Sequence, residues 1–207
     1  MEVFEFNTVS STGQGLYKEK GSKFISFAFP VKDEADIRAH LEQARKEYFD
    51  ARHHCFAWVL GADKKHYRSF DDGEPNHSAG DPILGQIRSR DLTNVLVIVV
   101  RYFGGTKLGV SGLIHAYKTA AAEALDQAGI RTEAVAVDLA FEYEYDATPE
   151  VMRLVKDFQL VVKREEFSER GLMHVQVLLR HHDALVNKVE LLRATGTAVM
   201  IADEAAS

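Results

Sequence analysis

An unbroken apolar run at residues 95–100 constrains the fold of this chain more than any other segment. It reads VLVIVV, and Val and Ile predominate in it. A strand with one face in water would alternate polar and apolar residues, so this pattern predicts a strand that is buried on both faces. The run is far too short to span a bilayer. A sheet with packing layers on both sides is therefore expected around it.

The segment after this strand contains the residues that most favour a binding site. Arg101, Tyr102 and Phe103 follow it where the chain leaves the core. A glycine-rich loop comes next and opens a helix that we predict from about residue 111 to residue 128, ended by Gly129. Because glycine backbone takes positive φ and approaches other molecules closely, main-chain amides before a helix can hold an anion such as phosphate. The expected anion or nucleic-acid contacts are Arg52, Arg101, Tyr102, Gly104, Gly105, Lys107 and Gly109, with Lys20 and Lys23 as auxiliary contacts.

Known phosphate-binding motifs do not explain this loop. Lys107 precedes Leu108 and Gly109, so no Gly-Lys-Ser/Thr sequence is formed, and no GxGxxG follows the strand. The glycines are also explained by a sharp turn and close packing of the helix on the sheet. Both explanations stay open from the sequence alone.

Histidines and carboxylates form a second group of candidates. His53 and His54 are consecutive, and the acidic residues that accompany them are Asp71, Asp72 and Glu74. Such residues can form a metal or acid/base site. Adjacent residues of a strand point to opposite faces, however, so the two histidines cannot share one ion without a bulge. We favour a structural role in which one histidine is hydrogen-bonded to an Asp, and we expect no metal, no cofactor and no catalytic residue. Cys55 lies in a predicted buried strand, where a thiol is normally inert.

Charge and cysteine content limit the class of protein. The net charge of −6 argues against a generally basic protein that coats nucleic acid. Residues 1–130 carry 16 Lys/Arg against 17 Asp/Glu, whereas residues 131–207 carry 9 against 14, so any phosphate contact is expected in the first part. A single cysteine fits a reducing compartment. The acidic amino terminus does not resemble a signal peptide, and we expect a cytoplasmic protein without a membrane partner.

The elements divide the sequence into two α+β domains. We expect the first over 1–130 and the second over 135–207, with a junction near 130–134. The second shows the order βαββαβ, which is typical of the ferredoxin-like arrangement. In the first, a helix is predicted at 32–48 and another at 82–90, with Asp81 as its cap and Pro82 at its first position.

The chain resembles the Impact/YigZ family of uncharacterised proteins. The family signature is similar to this sequence from Gly80 through Ile87 to the Arg101-Tyr-Phe-Gly-Gly105 segment and Gly109, and further similarity lies at residues 20–24, 51–55 and 70–75. The resemblance implies an amino-terminal domain like domain 2 of ribosomal protein S5. It also implies a carboxy-terminal ferredoxin-like domain, like domain V of elongation factor G. Eukaryotic members restrain a translation-control kinase but carry an RWD domain that is not found here, so that partnership is not transferred.

Three functional hypotheses follow. The first is a non-enzymatic cytoplasmic protein that contacts RNA or the ribosome, or a translation-related protein, and is linked to regulation of translation. The second is an enzyme that acts on a phosphorylated or small polar substrate through His53 or His54 with Asp71, Asp72 or Glu74. The third is a protein-interaction module without a ligand of its own. Fold kinship alone is a weak argument for function, and the sequence does not give the oligomeric state.

Overall fold

Two compact units make up the chain. The structure is a computed structural model that describes residues 2–202. One unit is Glu5–Glu133, and residues 2–4 together with 134–202 form the other. The expected domain ranges, 1–130 and 135–207, include residue 1 and residues 203–207, which lie outside the described part of the chain.

Strands and helices are interspersed along the first unit. Its elements are, in order, β1 (Glu5–Val9), β2 (Gly13–Glu19), β3 (Ser22–Pro30), α1 (Glu34–Glu47), β4 (His53–Leu60), β5 (His66–Phe70), α2 (Gly80–Ser89), β6 (Val95–Tyr102), α3 (Gly109–Ala128) and β7 (Ile130–Ala134). Five of the strands form one sheet in the order β2-β3-β6-β4-β5, in which every neighbouring pair is antiparallel. β1 pairs with β7 in a separate two-stranded sheet.

The central strand β6 is buried on both faces, as its apolar sequence predicts. Val95, Val97 and Val99 belong to the core that the sheet shares with α2 and α3. The alternate residues of β6 face a second core, which is closed by α1. A three-layer arrangement thus surrounds β6, and its alternation decides on which side each residue at the end of the strand emerges.

The second unit follows the predicted order of elements. They are β8 (Ala136–Tyr143), α4 (Thr148–Asp157), β9 (Val161–Phe167), β10 (Gly171–Leu178), α5 (Leu179–Ala194) and β11 (Val199–Ala202), with a 3-10 turn at Tyr145–Ala147. The strands form an antiparallel sheet in the order β11-β8-β10-β9. Leu154 of α4 and Leu185 of α5 pack in one core with Phe141 and Met173 of the sheet. The coarse expectation of a mixed α+β fold is confirmed, and the sheet of this unit is antiparallel.

Strand β5 and the start of α2 differ from the sequence prediction. β5 was not expected, because its sequence HYRSF is mostly polar and it lies at an edge of the sheet. Helix α2 begins at Gly80 rather than Pro82, and Asp81 is not its cap. Instead Asp71 accepts hydrogen bonds from the main-chain N–H groups of Ala79 and Gly80, at 3.0 and 2.8 Å. The cap therefore comes from eight residues before Ala79, beyond the range of a local capping rule.

Across residues 2–202, none of the helices combines the length and the apolar character that crossing a membrane requires.

Candidate anion-binding cleft

A cleft of about 460 Å³ opens where β6 ends and α3 begins. Three segments of the first unit form it: the start of β4, the loop between β5 and α2, and the loop that leads from β6 into α3. Its lining residues are Arg52, His53, Gly73, Glu74, Pro75, Arg101, Phe103, Lys107, Leu108, Gly109, Val110 and Leu113. Its size falls within the range of small-molecule sites.

Arg101 is fixed inward rather than outward. Its side chain is buried, with 5% of the residue exposed, and its Nη1 donates to Oε1 of the buried Glu74. Tyr117 donates its hydroxyl to the same oxygen at 2.8 Å, and Ser22 Oγ lies 3.4 Å from Nη2 of Arg101. The expectation that this guanidinium is free to meet phosphate is therefore wrong. A charge this deeply buried requires a partner, and Glu74 neutralises it.

Arg52 and Lys107 are the cations that the cleft leaves available. Both are exposed and line the cleft, and within residues 2–202 neither takes part in an ion pair. With Arg101 they place three cationic side chains against the single carboxylate of Glu74. Because Arg101 and Glu74 neutralise each other, Arg52 and Lys107 set the positive charge of the mouth. Their contact with an anion stays a prediction.

The amino end of α3 adds main-chain donors to the same cleft. The cap residue Leu108 makes no side-chain hydrogen bond, and no acidic residue stands in the first turn. The first N–H groups of a helix have no intrahelical acceptor and carry a partial positive charge, which favours an anion. Gly109, at φ +71°, lines the cleft and begins the helix.

The two adjacent glycines of the loop have different roles. Gly104 donates its N–H to Ser22 Oγ at 3.1 Å, and a Cβ at this position would lie 1.9 Å from the carbonyl carbon of Gly21. Its amide is thus already used, and its predicted anion contact is wrong. Gly105 adopts φ +86° with open space around it, but it does not line the cleft. Gly104 serves the close packing that the sequence left open as an explanation.

The available aromatic residue is Phe103, not Tyr102. Tyr102 packs beside the α1 core and donates its hydroxyl to Asp50 at 2.8 Å, a bond that raises the pKa of the tyrosine. It lies on the opposite side of the sheet from Arg101, so its predicted place in the site is wrong. Phe103 lines the cleft, is 42% exposed, and has the Arg52 guanidinium 5.8 Å from its ring centroid. Phe103 directly follows β6, and strand alternation continued to this residue places it on the face of Arg101, opposite Tyr102.

Lys20 and Lys23, the expected auxiliary cations, do not line the cleft. Both side chains are exposed on the β2–β3 hairpin. Lys23 is paired with Tyr102 across the strands.

The two histidines face opposite sides of the sheet, as strand geometry predicts. His54 lies 3.1 Å through Nε2 from the carbonyl oxygen of Tyr48 at the end of α1. His53 lines the cleft, with its Nδ1 2.7 Å from the carbonyl oxygen of Asp72. Since a carbonyl only accepts, Nδ1 of His53 carries a proton. In the neutral ring Nε2 is then an acceptor, and it lies 3.8 Å from Glu74 Oε1.

The carboxylates predicted to assist catalysis are bonded to the main chain. Asp71 accepts hydrogen bonds at the start of α2 and from the N–H of His77 at 2.9 Å. Asp72 accepts from the N–H of His54 at 2.6 Å. His54, Asp71 and Asp72 are therefore not assembled into an acid/base site with His53. Within residues 2–202, no group of three or more His, Cys, Asp or Glu side chains is arranged to hold a metal ion.

Below the cleft, Cys55 and Tyr117 extend the polar network around Glu74. Cys55 Sγ lies 3.3 Å from the Tyr117 hydroxyl and 3.0 Å from the carbonyl oxygen of Asp71. Burial is the main cause that raises the pKa of the thiol and the pKa of the phenol. Both groups stay protonated at neutral pH, so neither supplies a nucleophile beside His53.

Comparison with known sequences identifies related proteins. The Impact N-terminal domain family matches residues 20–125. The chain is 30% identical over 167 residues to the IMPACT family member YvyE of Bacillus subtilis, covering 81% of this chain and 77% of that protein. It is 37% identical over 128 residues to the IMPACT family member YigZ of Escherichia coli, covering 61% and 63%. It is also 34% identical over 116 residues to the protein IMPACT homolog of Saccharomyces cerevisiae, covering 54% and 44%.

A solved structure has a similar fold over the full length. It is the crystal structure of a hypothetical protein, and it matches with a TM-score of 0.75 at 25% sequence identity. The match covers 98% of this chain and 100% of that one.

Proposed function

The chain belongs to the Impact family, and from this premise we propose that it is a non-enzymatic cytoplasmic protein that binds RNA of the translation apparatus. The observation that carries the proposal is the cleft at the start of α3, where Arg52 and Lys107 stand beside uncapped main-chain N–H groups. A phosphate group of RNA is an anion of the size and charge that such donors hold.

The strand order of the second unit supports the proposal. The second unit has the strand order β11-β8-β10-β9 with βαββαβ connectivity, which favours a ferredoxin-like domain such as domain V of elongation factor G. The first unit is proposed as the domain that resembles domain 2 of ribosomal protein S5. A link to regulation of translation belongs to the same proposal. Kinship of fold does not establish function, so the proposal depends on the cleft.

Most residues that the enzymatic hypothesis requires make structural contacts instead. His54, Asp71 and Asp72 are engaged elsewhere, and the remaining pair of His53 and Glu74 has its carboxylate bound to Arg101 and Tyr117. The protein-interaction module stays a hypothesis.

A salt titration with RNA tests the proposal. A labelled single-stranded RNA is titrated with the wild type, with the R52A/K107A double variant and with K118A, whose lysine is exposed on α3 but does not line the cleft. For single-stranded RNA, the slope of log K against the logarithm of the salt concentration is about −0.7 for each phosphate that is neutralised. The slope of the double variant is therefore expected to be about 1.4 less negative than that of the wild type. K118A is expected to match the wild type.

Two outcomes of this titration would contradict the proposal that the cleft binds RNA. An RNA affinity that is absent at low salt, or independent of salt, would exclude the proposal. Equal losses in K118A and in the double variant would show that general surface charge, rather than the cleft, attracts the RNA.

A further inference from the structure

The cleft has an apolar wall that binding of phosphate alone does not explain. Phe103, Leu108 and Val110 line it beside the cations, and Phe103 and Val110 are 42% and 52% exposed. Phosphate is recognised by charge and N–H groups and gains nothing from an exposed hydrocarbon surface. A ligand that fits this cleft therefore combines an anionic group with a flat or apolar part.

Phe103 has the properties of a stacking platform. Its ring is partly exposed directly after the central strand β6, and the guanidinium groups of Arg52 and Arg101 lie 5.8 and 5.7 Å from its centroid. Proteins that bind single-stranded nucleic acid place aromatic rings next to cations in this way, because every base has a π-face.

Among the described residues, the buried side chain of Arg101 leaves one of its donors without a partner beside the cleft. It lines the cleft with only 5% of the residue exposed, and its Nε is a buried donor without a hydrogen-bond partner in the part of the chain that the structure describes. Buried donors without partners are rare, because each costs the free energy of its lost hydration. This Nε belongs to the guanidinium group that lies between Phe103 and Glu74.

We propose that the cleft binds one nucleoside monophosphate unit, with its base on Phe103 and its phosphate at the amino end of α3 between Arg52 and Lys107. The inference rests on the proposed function and names the chemical unit that this site recognises. The unit is either a free mononucleotide or a single nucleotide of an RNA strand. The volume of about 460 Å³ accommodates one such unit.

Calorimetric titration of the full-length protein with AMP, ribose 5-phosphate and a short single-stranded RNA tests this proposal. AMP is expected to bind about tenfold more tightly than ribose 5-phosphate, which has the phosphate but no base to stack. The F103L variant keeps an apolar side chain but loses the π-face. It is expected to reduce AMP affinity about tenfold and to leave ribose 5-phosphate unchanged. The matched control is F49L, because Phe49 is 82% exposed but does not line the cleft.

The RNA arm separates the two sources of the ligand. If F103L weakens both AMP and RNA, and the RNA binds at least tenfold more tightly than AMP, the unit is one nucleotide of a strand. If AMP binds as tightly as the RNA and displaces it, the unit is a free mononucleotide. Both results would support the proposal that the cleft binds a nucleotide unit.

Other results would overturn the proposal that the cleft binds a nucleotide unit. Equal affinities for AMP and ribose 5-phosphate, or an F103L variant that binds AMP like the wild type, would exclude base stacking on Phe103. If the RNA binds with its steep salt dependence and AMP does not bind, the nucleotide cleft is excluded while the proposed function stands. If neither ligand binds, both are excluded.

Discussion

At the scale of single residues, the buried ion pair of Arg101 and Glu74 organises the cleft. Glu74 comes from the loop before α2, and Arg101 from the end of β6, so their bond fastens that loop to the sheet. Phe24 lies 5.3 Å below the same guanidinium, and the Tyr117 hydroxyl completes the carboxylate's contacts. The pair positions the cleft floor, and Arg52 and Lys107 supply the charge at its mouth.

Removal of one partner of this pair is expected to be costly. Glu74→Ala leaves the Arg101 charge buried and unpaired, so the free energy of unfolding should fall by about 3–5 kcal/mol in urea denaturation. The exposed pair of Glu34 and Arg38 provides a control, and E34A should change stability by about 0.5 kcal/mol or less.

A double variant separates the ion pair from simple packing. E74A/R101M removes both charges, so it should lose less stability than the two single variants together. Strict additivity, or an E74A variant as stable as E34A, would contradict the interpretation of Arg101 and Glu74 as a coupled pair.

Asp81 gives a prediction for acid stability. Hydrogen bonds from Ser69 and His77 lower its pKa. The ionised carboxyl therefore stabilises the fold above its unfolded-state pKa, and this contribution is lost as the pH falls through the lower folded-state pKa. Ser69→Ala removes the largest cause and should raise the pKa of Asp81 in an NMR titration. Ser89→Ala, whose hydroxyl bonds the carbonyl of Gln86, should leave that pKa unchanged; an equal rise in both variants would refute the assignment to Ser69.

Residue-level prediction succeeded for the two histidines, where strand alternation was applied, and failed for Arg101, whose orientation a distant partner decides. The alternation placed His53 and His54 on opposite faces, and it also holds the information that Tyr102 lies away from Arg101. The inward orientation of Arg101 depends on Glu74, 27 residues earlier in the chain. A local pattern holds no information about such a contact.

At the scale of elements, sequence prediction was most accurate where packing and local pattern agree. β6 and α3 were expected because their apolar residues follow the periods of a buried strand and a helix. β5 was missed because an edge strand can be polar, and its contacts come from pairing with β4. The start of α2 was misplaced because its cap, Asp71, lies in a turn that comes before the helix.

A pair of glycine substitutions tests the packing of the β6–α3 loop. Gly104→Ala places a Cβ 1.9 Å from the backbone of Gly21, which cannot move as a flexible side chain does. A loss of roughly 1–3 kcal/mol is expected in thermal or urea unfolding. Gly85 is exposed within α2 and has open space around it, so Gly85→Ala should instead add about 0.5–1 kcal/mol. A G104A variant as stable as the wild type would show that Gly104 is not needed for close approach.

At the scale of the whole molecule, charge is distributed unevenly along the chain. Residues 1–130 are nearly balanced, with 16 Lys/Arg against 17 Asp/Glu, and residues 131–207 have 9 against 14. Each unit has its own hydrophobic core, and the cleft residues come from the first alone. The surplus of carboxylates is expected to disfavour phosphate contacts in the carboxy-terminal part of the chain.

This asymmetry predicts where RNA changes the NMR spectrum. Addition of a short single-stranded RNA at low salt should shift amide signals around Arg52, Phe103 and Lys107, because the cations and free N–H groups of the first unit meet the phosphates there. Signals of residues 134–202 should stay unchanged, since the excess negative charge of that part opposes contact. Raising the salt concentration should reverse the shifts, because screening weakens the contacts of exposed charges. Shifts that are strongest in residues 134–202 would move the RNA contact to the second unit and leave the cleft without this role.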